Sequence, residues 1–156
     1  MVYLECLNGV TDFSESQKIL QDKGLLVKKY EDLGLYLIKY NKETCDMTDQ
    51  DVRKCRGLVL EMETNNVVGV PPSKSINVES FVNNENITYE EFVDGTMINL
   101  FYFNGDWHIS TRSSIGAKCR WFSRKPFNQM FEESKDFDLE NFNTNISYTF
   151  VLQHEE

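Results

Sequence analysis

The sequence predicts an α+β domain built mainly from antiparallel strands, and three observations carry that prediction. Short runs rich in Val, Ile, Leu, Tyr and Phe recur along the chain and are separated by turn residues. The dipeptide Asn-Gly at residues 104–105 joins two such runs, which is typical of a type I′ hairpin. Few segments carry the caps and spacing of helices. Hairpin-paired strands with a few helices among them define this fold class.

The helical segments are short. Three are expected: residues 14–23, 47–54 and 124–134. Ser14 is the expected N-cap of the first, with Gln17 three residues later and Gly24 as its end. Thr48 is the expected cap of the second.

The strands account for most of the remaining pattern. Eight are expected: residues 25–30, 35–40, 56–62, 67–70, 88–93, 97–103, 106–111 and 147–152. The last of them ends close to Glu156. We therefore expect residues 1–156 to be one domain that is incomplete at its C-terminus.

Composition bounds the function. The chain is 40% hydrophobic and 13% aromatic, which argues against disorder. It has no apolar run of membrane-spanning length and no signal peptide at the N-terminus, so an intracellular, cytoplasmic protein without a membrane partner is expected. The four cysteines form no Cys-x-x-Cys pair, and with only two histidines this argues against a zinc site and for reduced thiols.

Charge is unevenly distributed. The net charge of −9 disfavours a non-specific nucleic-acid coat. From residue 107 to residue 130, however, the chain contains no Asp or Glu. The basic residues of that stretch are Arg112, Lys118, Arg120, Arg124 and Lys125. A positive face on an acidic protein is therefore expected there.

Four segments carry candidate chemistry: CRGLVLE at residues 55–61, VPPSKSIN at 70–77, EEFVDGT at 90–96 and STRSSIG at 110–116. Eighteen residues separate Arg56 from Lys74, and eighteen more separate Lys74 from Phe92. Taken singly, each segment has an ordinary structural alternative: an exposed strand arginine, a surface lysine, an Asp-Gly turn and a polar loop. Their order along the chain is what favours a functional interpretation.

In that order the segments resemble the motifs of RNA ligases of the phage and large DNA virus type, within the covalent nucleotidyltransferases. The resemblance covers roughly residues 56–152. It implies the N-terminal portion of an antiparallel, β-rich nucleotidyltransferase domain, the ATP-grasp-like adenylation domain of ligases. It also implies ATP and Mg²⁺ as cofactors, nucleotides and RNA ends as partners, and a viral protein acting in a host cell.

The resemblance also implies roles for particular residues. Arg56 and Lys74 would contact the nucleotide's phosphates, Glu91 its adenine, and Arg112 its sugar or the RNA end. Arginine suits such contacts because its planar fork binds phosphate oxygens bidentately. RNA contacts would fall to Lys118, Arg120, Arg124 and Lys125. In the same region Trp121 and Phe122 could stack on bases, or could instead be core residues of an amphipathic segment.

Two positions depart from the family pattern. The motif Lys-x-Asp-Gly uses its lysine to attack the nucleotide, and here Asp94 and Gly95 are present while Phe92 stands in the lysine position. A phenyl ring has no lone pair with which to form a phosphoramide. A rescue would need another lysine, for which Lys74 and Lys118 are the candidates. In the last strand, Val151 stands nearest to the position of a family glutamate.

Three functions stay open at this point. The first is an ATP-dependent, RNA ligase-like adenylyltransferase that acts on RNA ends. The second is a non-catalytic remnant of that fold which binds a nucleotide or RNA. The third is an unrelated acidic α+β interaction protein, which would bind no nucleotide. No catalytic residue or metal ligand can be assigned from the sequence.

Overall fold

A computed structural model describes residues 3–77, 88–120 and 124–154 of the chain. The described residues form three α-helices and seven β-strands, so the expected α+β class is confirmed. In chain order they are α1 (Phe13–Asp22), β1 (Leu26–Tyr30), β2 (Leu35–Lys39), α2 (Gln50–Lys54), β3 (Arg56–Glu61), β4 (Val67–Gly69), β5 (Thr96–Phe103), β6 (Asp106–Ser110), α3 (Phe127–Ser134) and β7 (Tyr148–Leu152).

Strands β1 to β4 form an antiparallel sheet in the order β1-β2-β3-β4. Four consecutive residues of β2, from Leu35 to Ile38, are fully buried, because both faces of this sheet are covered. One face packs against α1 and the N-terminal residues, where Leu4, Leu20 and Leu58 belong to one apolar cluster. Continuous apolar sequence is the expected mark of such a strand.

The second sheet has the order β6-β5-β7 and is also antiparallel. Its β5–β6 turn is the predicted hairpin: Asn104 and Gly105 have φ values of 51° and 93°, both positive as a type I′ turn requires. Helix α3 packs on this sheet through Met130 and Phe131, which join Ile98 of β5 in an apolar cluster. The hairpin prediction is confirmed.

The two sheets meet along one apolar interface centred on Phe101. The ring of Phe101 is fully buried and clusters with Leu35, Leu37, Val59 and Ile115. Hydrogen bonds accompany this contact. The hydroxyl of Ser147, directly before β7, accepts from the backbone N–H of Val70 and donates to the carbonyl oxygen of Val68 in β4. The junction therefore belongs to the core of the molecule.

Two of the helix caps differ from the prediction. Asp12 caps α1 by accepting a hydrogen bond of 2.9 Å from the backbone N–H three residues later, so Ser14 lies inside the first turn. Asp49 caps α2, because the hydroxyl of Thr48 is already hydrogen-bonded to Asp46. Asp, Ser and Thr cap almost equally well, so sequence alone could not choose between neighbouring candidates.

The third helix begins at Phe127, three residues later than predicted. Pro126 occupies its N-cap position with an extended backbone, φ −75° and ψ 157°. A proline disfavours helical backbone in the residue before it, which keeps Lys125 out of the helix. Trp121 and Phe122, the predicted stacking residues, lie outside the described residues.

The prediction of a strand at residues 88–93 is wrong. These residues belong to no strand, and their large side chains are exposed. The physical reason is that β5, which follows directly, already has β6 on one side and β7 on the other. No strand edge next to β5 remains for the segment to pair with.

A buried carboxylate fastens the N-terminal residues to α2. Asp51 is only 5% exposed and accepts hydrogen bonds from the backbone N–H of Cys6, at 2.9 Å, and from Lys54, at 3.3 Å. Burial tends to raise the pKa of Asp51, but these hydrogen bonds outweigh it and leave the pKa below its usual value. Burial and the neighbouring Asp51 raise the pKa of the Cys6 thiol to about 12. All four cysteines are free thiols.

Across the described ranges, no helix has both the length and the apolar character that crossing a bilayer requires.

Candidate phosphate-binding cleft

The candidate site lies where the start of β3 touches the loop that follows β6. Gly57 makes that contact possible, because a Cβ atom there would lie 2.8 Å from the Cα of Arg112 and 3.0 Å from the carbonyl oxygen of Thr111. Its φ of +97° is also one that side chains disfavour. The Arg-Gly pair therefore places Arg56 beside Arg112, although 56 positions separate them in the sequence.

The loop after β6 is held in one conformation by its own hydrogen bonds. The hydroxyl of Thr111 accepts from the backbone N–H groups of Ser113 and Ser114, each at 3.2 Å. The backbone N–H of Thr111 donates in turn to the carbonyl of Ser114, at 2.9 Å. The backbone N–H of Ile115 donates to the hydroxyl of Tyr30, at 2.9 Å. These bonds fix the position from which Arg112 projects.

Arg112 is anchored to the first sheet. Its Nη2 donates a hydrogen bond of 2.8 Å to the carbonyl oxygen of Tyr40, and its guanidinium lies 4.5 Å from the centroid of the Tyr40 ring. Its Nε is buried without a partner among the described residues. Arg112 therefore also has a purely structural role, as the residue that contacts Tyr40. The anchoring also orients the side chain before any ligand arrives.

These residues open into a cleft of about 390 Å³, which we call the arginine cleft. Its lining residues are Arg56, Gly95, Thr96, Met97, Thr111, Arg112, Ser113, Cys119, Arg120 and Phe127. Three of them are arginines, and none of the described residues that line it is Asp or Glu. On a protein of net charge −9, this is a local concentration of positive charge.

Two of the three arginines are available to a ligand. The guanidinium groups of Arg56 and Arg120 have no hydrogen-bond or ion-pair partner among the described residues. An unpaired guanidinium keeps all five of its donors and its full charge for an incoming anion. The cleft therefore combines one arginine fixed in place with two that are free to engage phosphate oxygens.

A second, smaller cleft adjoins the first. It has a volume of about 320 Å³ and shares Gly95, Thr96 and Phe127 with the arginine cleft. Asp94 and His154 are among the residues that line only this second cleft. Gly95 permits the backbone to pass between the two, because a Cβ atom there would lie 2.6 Å from the carbonyl oxygen of Leu152 in β7.

The structure separates Phe92 from the arginine cleft. Its side chain is 90% exposed, and neither Phe92 nor Glu91 lines either cleft. Glu91 is exposed as well. The nearest motif residue that reaches the cleft is Gly95, with Asp94 on the neighbouring side. Position 92 therefore does not present a side chain to the arginines in this conformation.

Lys74 also lies apart from the arginine cleft. Its Nζ donates to the carbonyl oxygen of Ser75, at 2.7 Å, and its backbone N–H donates to the carbonyl of Arg53 in α2, at 2.9 Å. It is not among the lining residues. The structure thus brings together Arg56 and Arg112 from the predicted nucleotide-binding set, and does not bring Lys74 or Glu91 to them.

The predicted RNA-binding residues divide into three groups. Arg120 lines the arginine cleft, while Lys118 and Arg124 are exposed outside it. Lys125 forms an ion pair of 2.9 Å with Glu133 of α3. Glu133 also accepts a hydrogen bond from the side-chain amide of Gln129, and these contacts hold the pKa of Glu133 below its usual value, with the Lys125 contact the largest cause. Lys125 is therefore committed to a protein partner.

Sequence reasoning missed several lining residues. Cys119 and Phe127 belong to none of the candidate motifs, yet they lie in the arginine cleft beside Arg120. The Sγ of Cys119 is 3.5 Å from the hydroxyl oxygen of Ser114. The one available signal was the position of Cys119 between two basic residues. For Phe127 the sequence offered none, because only the fold brings α3 to this cleft.

The residues of the cleft do not fit a bound magnesium ion. Mg²⁺ is held in proteins through carboxylate oxygens together with waters and substrate phosphates. The arginine cleft offers guanidinium groups and hydroxyls instead. In the described part of the chain, no group of three or more His, Cys, Asp or Glu residues is arranged to hold a metal.

Comparison with known proteins finds similarity to a viral protein. It is 27% identical over 126 residues to a protein of Autographa californica nuclear polyhedrosis virus described as a bifunctional polynucleotide kinase/RNA ligase. The match covers 72% of this chain and 18% of that protein, so the chain spans less than a fifth of its relative's length. No protein-family model and no solved structure matches. The similarity supports a relation to RNA ligase proteins at that general level.

Proposed function

We propose that this chain is an RNA ligase-like domain that binds the phosphates of a nucleotide or an RNA end in the arginine cleft. The observation that carries the proposal is the composition of that cleft, which has three arginines and, among the described residues, no carboxylate. The similarity to a viral polynucleotide kinase/RNA ligase supports the same class of ligand. ATP is the nucleotide that the family resemblance implies.

Phosphate binding follows from the chemistry of the lining residues. Arg56 and Arg120 can each donate two parallel hydrogen bonds to phosphate oxygens, and such charge-assisted bonds are about twice as strong as neutral ones. The hydroxyls of Thr96 and Ser113 are further donors. A phosphate that enters the cleft therefore exchanges its hydrogen bonds to water for charge-assisted hydrogen bonds from the protein.

The covalent step of a ligase is not part of the proposal. That step needs a lysine whose amine can reach the nucleotide's α-phosphate. Position 92 holds a phenylalanine that is 90% exposed, and Lys74 is hydrogen-bonded outside the cleft. Lys118 is exposed and precedes Cys119, which lines the cleft. It is the remaining candidate for a lysine that replaces the missing nucleophile. We therefore assign binding to this domain, with adenylylation as the alternative.

Intact mass spectrometry tests the choice between these two. After incubation with ATP and Mg²⁺, we expect the unmodified chain to gain no AMP. A covalent adduct on the unmodified chain would contradict the binding assignment, and peptide mapping would then identify the lysine. The variant Phe92→Lys is the companion sample. An adduct on that variant alone would mean that the 88–94 segment can bring residue 92 to the cleft.

Equilibrium binding tests the proposal itself. We expect isothermal titration to show that ATP binds. We also expect a short RNA with a 5′-phosphate to compete with ATP for the arginine cleft. An unrelated acidic interaction protein would bind neither. Absence of binding by both ligands would therefore remove the proposal and leave the interaction-protein alternative.

A further inference from the structure

The arginine cleft offers a ligand positive and neutral groups and, among the described residues that line it, no carboxylate. Its polar side chains are three guanidinium groups, the hydroxyls of Thr96, Thr111 and Ser113 and the thiol of Cys119. The guanidinium groups stabilise negative charge and cannot coordinate a cation, and the hydroxyls bring no negative charge with which to hold one as a carboxylate does. A metal–phosphate complex would therefore meet positive charge on the protein with no compensating anionic ligand.

The carboxylates nearest in sequence to the lining residues lie elsewhere. Asp94 precedes Gly95 but lines the adjoining cleft and not the arginine cleft. Glu61 is at the opposite end of β3 from Arg56, about 17 Å along the strand, and accepts a hydrogen bond from the hydroxyl of Thr64. In the last strand, Val151 stands nearest to the position at which the family resemblance implies a glutamate. Among the described residues, the lining of the cleft therefore has none of the acids that usually hold a metal in phosphate-transfer sites.

From these positions we propose that the arginine cleft binds phosphate as the bare anion, without Mg²⁺. Here the three arginines neutralise the ligand's charge, which is the task that a divalent ion performs in many phosphate sites. Guanidinium groups remain charged at every accessible pH, so this neutralisation is permanent. The inference rests on the proposed function, because it specifies the form in which that ligand binds.

Magnesium should therefore weaken binding. An ion bound to the phosphates removes two units of negative charge and occupies oxygens to which Arg56 and Arg120 would donate. At matched ionic strength, we expect ATP to bind roughly three- to tenfold more tightly in EDTA than in MgCl₂. The protein should be the full 156-residue chain, and the readout should be isothermal titration of ATP alone in each buffer.

Each outcome decides a different question. Tighter binding in EDTA supports metal-free recognition. Binding that is equal in the two buffers, tighter in MgCl₂ or detectable only in MgCl₂ overturns this inference and leaves the proposed function standing. No binding in either buffer overturns both.

A variant tests whether a metal ion could be bound by a residue of the neighbouring cleft. Asp94→Asn removes the carboxylate closest to the shared Gly95, and it should leave the ratio of the two affinities unchanged. A Mg²⁺-dependent gain in affinity that disappears in Asp94→Asn would overturn the inference and identify the ligand of the ion.

Two RNA arms distinguish the source of the phosphate. Hexanucleotides with a 5′-phosphate and with a 5′-hydroxyl are titrated against bound ATP in EDTA. Displacement by the phosphorylated RNA alone assigns the cleft to an RNA end as well as to nucleotides. Failure of both RNAs to displace ATP restricts the metal-free site to free nucleotides.

Discussion

At the scale of single residues, the three cleft arginines do different work. Arg112 spends one donor on the carbonyl of Tyr40 and stacks on its ring, so it joins the two sheets as well as facing the cleft. Arg56 and Arg120 have no such partner among the described residues. Substitutions at these two positions can therefore test ligand binding with little effect on folding.

For Arg56→Gln and Arg120→Gln we expect ATP affinity to fall at least about tenfold each. A charge-assisted hydrogen bond contributes about 1.5–3 kcal/mol, and about 1.4 kcal/mol is a factor of ten in affinity. Isothermal titration measures the loss. Lys18→Gln is the matched control, since it removes one positive charge from an exposed position on α1. If the control weakens binding as much, the affinity reflects overall charge and not the cleft.

At the scale of elements, Gly57 determines how closely β3 approaches the loop after β6. An added Cβ atom would lie within 2.8 Å of backbone, which cannot move aside as a flexible side chain can. The cleft depends on this approach, because it brings Arg56 next to Arg112. A residue with no side chain thus has a direct effect on the geometry of the site.

Gly57→Ala should destabilise the fold by roughly 3 kcal/mol or more, through backbone strain at positive φ and the added clash. Gly9→Ala is the matched control: Gly9 has a similar φ of +79°, and its Cβ would meet nothing within 4 Å. We expect the control to lose about 1 kcal/mol, from the φ strain alone. Denaturant unfolding measures both. Equal losses would mean that the approach of the two segments is not tight.

The sequence predicted the elements better than their ends. Apolar runs and the Asn104-Gly105 turn are local patterns, so seven of the eight strands and the hairpin could be read directly. The helix caps could not be chosen between neighbouring candidates from sequence, and at α2 the Thr48 hydroxyl bonds to Asp46 instead. The 88–93 strand failed because pairing is not local: its neighbour β5 had no free edge.

The site was predictable in part for the same reason. Arg56 and Arg112 stood in recognisable segments, and the fold places both in the cleft. Lys74 stood in an equally recognisable segment, yet its amine bonds to the adjacent carbonyl of Ser75. Cys119 and Phe127 could not be found, because their place in the cleft depends on how the end of the β6 loop and α3 pack together.

At the scale of the whole molecule, buried and paired carboxylates make stability depend on pH. Hydrogen bonds hold the pKa of Asp51 low against its burial, and a hydrogen bond from Lys23 is the main cause that lowers the pKa of Asp49. Folded pKa values below the unfolded value of 3.8 mean stability that is present above that pH. It is lost as the pH falls through the folded values.

Asp51→Asn should therefore cost about 1–3 kcal/mol of unfolding free energy near pH 7, because it weakens the contacts of Asp51 with Cys6 and Lys54. It should also make stability fall less steeply below about pH 4. Urea unfolding at both pH values measures the two effects. Asp136→Asn, at an exposed position, is the control and should change neither. A steeper acid loss in Asp51→Asn than in the parent would contradict this account.

The arginine cleft lies across the joint between the two sheets: Arg56 belongs to the first, while Arg112 and Arg120 follow the second. An anion bound by arginines from both sheets would stabilise the folded state. Its binding would add to the free energy of unfolding in proportion to the logarithm of its concentration. The salt chosen for purification then becomes a structural component. In phosphate or sulfate the protein would melt at a higher temperature than in chloride at equal ionic strength. Exchange into chloride would weaken the contact between the two sheets.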